Sequence, residues 1–199
     1  MADLQIHIAA THANSGRLRL FSTPELCASA LLASACLPSL HHAIEIDGEP
    51  YWDGAYSANP AIYPLLYSCS ADDILLVLLS PLVHGQTPHG AEEIRARALD
   101  LAFNSTFLRE MRSFAHAREY VGHSRLAVGR LERRLLRARF HLIEGEELLS
   151  QLATETRLAT GLPFLLKLRD QGRARARQWL AAHYPDVGRA SSTDIGDVF

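Results

Sequence analysis

The residues of this sequence best suited to chemistry are a carboxylate followed by two small residues, Asp53-Gly54-Ala55, within Ile46-Asp-Gly-Glu-Pro-Tyr-Trp-Asp53-Gly54-Ala55-Tyr56. A carboxylate beside a hydroxyl can accept its proton as the oxygen attacks an acyl carbon, and partial burial strengthens that base. An Asp-Gly pair by itself reads only as a surface turn. The other reactive types are scattered. The pairs His7/His12, His41/His42 and His84/His89 lack helical i,i+4 spacing with a third ligand, so they read as isolated surface or core histidines and no metal is expected. Cys27, Cys36 and Cys69 are an odd set without a C-x-x-C, which indicates neither a disulfide framework nor a zinc ribbon. Six arginines against Glu132 between residues 125 and 139, with Arg173, Arg175 and Arg177 beyond, make a patch that could meet lipid phosphates. Lys167 is the sole lysine among 20 basic residues, a bias that base composition produces, and the patch reads first as a solvated helix face.

The elements that must position Asp53 follow from periodicity. Apolar residues alternate from Leu4 to Ile8 and again from Arg17 to Phe21 around Asn14-Ser15-Gly16, which predicts a hairpin. Thr23 as cap, Pro24 and Glu25 open a helix over roughly 24–36, with Leu26, Ala30, Ala33 and Leu37 at helical spacing until Pro38. A second hairpin turns at Asp47-Gly48 and delivers the chain to Asp53 at a strand exit. The unbroken apolar run Ile74–Leu79 predicts a strand covered on both faces, hence a parallel or mixed sheet in an α/β fold. Beyond it the spacing predicts a helix over 91–119 burying Ile94, Ala98, Leu101, Leu108, Met111 and Ala115. A basic helix near 130–138, a strand at 140–143 and a helix over 163–183 burying Leu165, Leu168, Ala176, Trp179 and Leu180 follow, then a surface arm after Pro185.

Three linked pieces resemble the patatin-like phospholipase family: Leu31-Leu-Ala-Ser-Ala-Cys-Leu-Pro38, the stretch from Ile46 to Tyr56, and Asn59-Pro60. In that family a small-residue helix ending A-S-x-x-x-P leads to a hairpin and then to a D-G-G/A motif, and order, spacing and residue types agree over residues 28–60. The resemblance implies the C-terminal portion of a patatin-like layered α/β fold with a mixed central sheet and covering helices. Residues 1–66 would carry the D-G-A motif, and residues 67–199 the buried strand and helical region of the same unit. It further implies a serine/aspartate dyad acting on a lipid acyl ester without a cofactor. In that dyad Asp53 is the proton acceptor, Gly54 permits the tight turn and Ala55 is an accepted variant of the second glycine.

The sequence departs from the family in one large respect. It has no G-x-S-x-G: the nearest approach, Gly122-His123-Ser124-Arg125-Leu126, has leucine in place of the second glycine and follows the aspartate, so Ser124 is not a credible nucleophile. No two glycines are adjacent, which leaves no Gly-rich loop whose backbone N–H groups could meet an oxyanion. The expectation is therefore a truncated gene product, a mis-called start or one half of a split hydrolase, inactive alone, with the missing N-terminal half as its partner. The alternative is a noncatalytic remnant or interaction module whose Arg-rich helices bind a partner or a membrane surface. A formal charge of −2 gives no global attraction to nucleic acid or anionic lipid, so no nucleic-acid partner is expected. With no cationic-then-apolar leader and no uncharged apolar run of about 18 residues, the expected location is cytoplasmic, with peripheral contact at the membrane.

Overall fold

The structure is a computed structural model that describes residues 4–79, 82–123, 129–145 and 161–199. The chain forms two units, residues 1–64 with 97–111 and residues 65–96 with 112–199. The α/β class expected from the sequence is observed, with the strands divided between a four-stranded antiparallel sheet and a two-stranded parallel one.

The first unit is built on a sheet of strand order β2 (Leu18–Ser22), β1 (His7–His12), β4 (Glu49–Asp53), β3 (Ile44–Ile46). The expected hairpin joins β1 (His7–His12) to β2 (Leu18–Ser22), but the first strand runs further than the alternation at Leu4–Ile8 suggested. Its later residues Ala10, Thr11 and His12 also pair with β4, a long-range ladder that local periodicity does not register. The second hairpin, β3 (Ile44–Ile46) and β4 (Glu49–Asp53), turns on Asp47 at φ 54° and Gly48 at φ 80°. Positive φ at both central residues matches the right-handed twist of the flanking strands, which is why Asp-Gly occupies them.

The single helix expected over 24–36 is two elements, a 3₁₀ turn Thr23–Glu25 and α1 (Ala28–Ser34), separated by extended backbone at Leu26 and Cys27. Ser22, not Thr23, opens the first: the Glu25 carboxylate accepts from the Ser22 N–H and hydroxyl, while the Thr23 hydroxyl accepts from the Ile6 N–H. That folds Glu25 back and breaks the run. α1 lies against β1, β3 and β4 through Ala30 and Ala33, both fully buried, and small side chains let its backbone come close to the sheet. Ala10, Phe21 and Tyr51 complete this core, the two rings edge to face at 5.6 Å.

Helix α3 (Ala91–Gly122) contributes residues 97–111 to this unit. The buried face proposed from its sequence is corrected in part: Met111 is fully buried as expected, Leu108 and Ala115 are half-buried, Ile94, Ala98 and Leu101 are exposed, and Met111 packs in a stripe with Phe107 and the half-buried Phe103. The two aromatic rings four residues apart bring a large apolar area to the face that Met111 shares. Glu110 on this helix accepts from the Ile62 and Tyr63 N–H groups at the start of α2 (Tyr63–Tyr67).

The second unit holds the parallel pair β5 (Asp73–Leu78) and β6 (Arg139–Glu144), with Asp73 opposite Arg139. β5 lies where the apolar run predicted it, but burial alternates along it: Ile74, Leu76 and Leu78 are buried, whereas Leu75, Val77 and Leu79 are exposed. An apolar run is compatible with one covered face as well as two, and this sheet covers one. The basic helix α4 (Arg130–Arg137) precedes β6, and α5 (Leu162–His183) occupies the expected range with a different packing. Leu165 and Leu180 are exposed, and Leu168, Ala176 and Trp179 are only half-buried. After a 3₁₀ turn at Tyr184–Asp186 the tail is not a surface arm. Ser192 and Thr193 donate to the Phe140 carbonyl, and Ile195, opening α6 (Ile195–Val198), is 2% exposed. Among the described residues no helix is long and apolar enough to cross a membrane.

Candidate functional site

Asp53 ends β4, and its main chain is held from two sides. Its N–H donates to the Cys36 carbonyl beyond α1 (2.9 Å), and its own carbonyl accepts from the Thr11 hydroxyl on β1 (2.7 Å). The chain then turns through the 3₁₀ segment Gly54–Tyr56, where the Ala55 N–H donates to Asp53 Oδ1 at 2.8 Å. Among the described residues that N–H is the one hydrogen-bond donor to the carboxylate, so Oδ2 remains available to a proton. Burial raises the Asp53 pKa above the ordinary carboxylate value against the opposing pull of the Ala55 N–H. A partly desolvated carboxylate with one oxygen anchored and the other open is a directed base.

Gly54 is required by space. A Cβ there would lie 2.4 Å from the Ala9 carbonyl oxygen and 2.7 Å from its carbon, so only glycine lets the turn press onto β1. The D-G-A triplet thus divides its work: Asp53 presents the carboxylate, Gly54 permits the close approach and Ala55 supplies the anchoring N–H. Cys36 and Tyr56 share the locality. Burial first, and then the Asp53 charge, raise both the Cys36 thiol and the Tyr56 phenol above their ordinary values. The Cys36 thiol donates to the His42 carbonyl at 3.0 Å, and Tyr56 packs edge to face on Phe103 at 4.9 Å.

The second unit contains an array that sequence spacing does not reveal. Asp73 accepts from Arg139 through Nε (2.9 Å) and Nη2 (2.7 Å), from the Gly188 N–H (2.9 Å) and from His141 Nε2 (3.1 Å). With Nε2 donating, His141 Nδ1 accepts from the Ser192 hydroxyl at 3.0 Å, giving the order serine, histidine, aspartate. The line lacks what a nucleophile needs. His141 is 1% exposed, so no leaving group reaches its ring, and the Ser192 and Thr193 N–H groups that could serve an oxyanion both donate to the Phe140 carbonyl. Asp73 is saturated by Arg139, whose hydrogen bonds hold its pKa well below the usual carboxylate range. The array fastens the tail to the sheet.

Two arginines of the basic patch, Arg134 and Arg139, are likewise structural and depart from the reading as a solvated face, whereas Arg130, Arg133, Arg137, Arg173, Arg175 and Arg177 are exposed as that reading expected. Arg134 is buried and donates to the Asp72 carboxylate and to the Leu65, Ser70 and Ala71 carbonyls, while Arg118 donates to Ala138 O and Arg175 to Glu144 O. Among the histidines, His12 bridges the Ser15 hydroxyl and the Glu49 carboxylate, both at 2.7 Å. Ser124 lies outside the described residues.

Residues 4–66 match the sequence profile described as patatin-like phospholipase. The matched segment contains β1 to β4, α1 and the whole Asp53 turn, so the resemblance read from the motifs holds for that segment. The match falls in the first third of the chain and gives no support to reading the chain as the C-terminal part of the family's domain. No curated protein matches the chain significantly.

Proposed function

We propose, with residues 4–66 as a patatin-like phospholipase segment, that the chain serves the hydrolysis of lipid acyl esters and that Asp53 is its proton acceptor. The observation that carries this reading is the Asp53 carboxylate, raised in basicity by burial and anchored through one oxygen only. In the dyad chemistry the resemblance implies, a serine hydroxyl attacks the acyl carbonyl while its proton passes to Asp53. The alcohol then leaves with a proton returned from Asp53, and water repeats the sequence on the acyl-serine. The hydroxyl must come from a serine elbow that this sequence does not contain.

Joined behind a serine elbow and Gly-rich loop of the patatin type, the chain is expected to hydrolyse p-nitrophenyl acyl esters, whereas residues 1–199 alone match the buffer rate. In the joined enzyme Asp53→Asn should lower the rate by about 10²–10⁴, since the amide keeps the shape and loses the basic oxygen. Ser124→Ala should change little. Full activity of Asp53→Asn would overturn the assignment, and hydrolysis by the chain alone that vanishes with Ser124→Ala would relocate the nucleophile. The absent elbow favours a second reading, an interaction module that keeps the turn without the chemistry. It predicts a joined enzyme that folds, binds acyl ester and turns over no substrate.

A further inference from the structure

We infer that Thr11 is the positioning residue of Asp53, acting through a line of hydroxyls that runs from Ser57 through Thr11 to the Asp53 carbonyl. This role rests on the reading of Asp53 as the base. Thr11 lies on β1 opposite Trp52, 42 residues from Asp53 in sequence, and is 6% exposed. Its hydroxyl is 2.7 Å from the Asp53 carbonyl oxygen and 2.8 Å from Ser57 Oγ. A carbonyl oxygen only accepts, so the Thr11 proton goes to Asp53 O and its lone pair receives the Ser57 proton. Ser57 in turn closes the Gly54–Tyr56 turn, donating its N–H to the Gly54 carbonyl at 2.9 Å.

The consequence for the base is geometric. Asp53 sits at the last rung between β1 and β4, and its N–H donates to Cys36, so neither of these contacts holds the Asp53 carbonyl. The peptide plane of that carbonyl leads into Gly54, whose own carbonyl shares the next plane with the Ala55 N–H, and Ala55 holds Oδ1. Thr11 clamps the plane through its carbonyl, and the clamp keeps the carboxylate both oriented and shielded. A β-branched side chain suits this task, because its χ1 is stiff and the hydroxyl direction is set by the strand. Beside the carboxylate, Ala55 donates to it, and its charge is felt by Cys36 and Tyr56.

The test is the titration of the Asp53 side-chain carboxyl by carbon NMR in the 199-residue chain, assigned with Asp53→Asn, alongside urea denaturation. In Thr11→Val the plane loosens and water reaches the carboxylate, so the titration midpoint should move down toward the ordinary value, and Thr11→Ser should restore it. An unmoved midpoint in a folded Thr11→Val protein, with stability lost, would reduce Thr11 to a structural contact and overturn the inference. If Thr11→Val does not fold, Ser57→Ala serves: a lowered midpoint supports the line of hydroxyls and an unchanged one overturns it. The titration needs no ester hydrolysis, so this result stands or falls separately from the role of Asp53 in catalysis.

Discussion

Asp53 carries two opposed demands at the scale of one residue. Burial that strengthens it as a base also disfavours its charge, so the folded protein binds its proton more tightly than the unfolded chain does. Below the unfolded value of about 3.9 the group is protonated in both states and costs nothing. As pH rises through the window up to its raised folded value, stability is lost. Asp53→Asn should therefore be more resistant to urea than wild type at pH 7, with the advantage shrinking toward pH 3, the reverse of the effect on hydrolysis proposed for it. Gly54 makes a second residue-scale prediction. Its substitution by alanine drives a Cβ into the Ala9 main chain. Because backbone cannot yield as a side-chain tip does, Gly54→Ala should lower unfolding free energy by about 1–3 kcal/mol or more in chemical denaturation. A surface turn would tolerate it. At this scale the sequence was readable where backbone geometry needs a residue type, at the strand exit of Asp53 and the tight turn at Gly54, and silent on their distant partners, Thr11 and Cys36.

Elements were legible as elements, and their faces were not. The ranges of β5, α3 and α5 follow from local pattern, yet each buries a different set from the one its pattern suggested. The physical reason is that periodicity gives the direction of side chains, whereas coverage depends on what a neighbour brings. β5 supplies the measurement. Leu76 is 4% exposed and Leu75 is 48% exposed on adjacent positions of one strand. Leu76→Ala should cost about 2–5 kcal/mol through lost burial and the cavity left behind. Leu75→Ala, which mainly trades exposed area, should cost well under half of that. Equal costs from urea midpoints would mean that both faces of the strand are covered, as the apolar run by itself suggested.

For the whole molecule, acid is the revealing variable. Asp73 is held ionised in the folded state by Arg139, with Gly188 and His141 adding donors, so its folded pKa lies below that of the unfolded chain. Its contribution is present above the unfolded value of about 3.9 and is lost as pH falls below it. Since Gly188 and Ser192 bind through this array, acid should release the tail beyond Pro185 while the first unit persists. Amide exchange between pH 3 and 6 would check this: protection of the Thr193 N–H should fall in acid before that of β1. In Asp73→Asn it should be low at every pH.

The sequence by itself determined the local grammar of this protein: two hairpins, their Asp-Gly turn, a small-residue helix and an aspartate at a strand exit followed by the one residue without a Cβ. These follow from backbone sterics and turn chemistry over a few neighbouring residues. It also carried the resemblance of residues 4–66 to patatin-like phospholipases, because motif order and spacing are themselves sequence. Tertiary structure alone decided that Thr11 meets Asp53, that His141 meets both Asp73 and Ser192, and that Arg134 is buried among carbonyls 63 to 69 residues away. Hydrogen bonds of that span form only after packing has brought strands and tail together, and a desolvated polar group then takes whichever partner the fold presents.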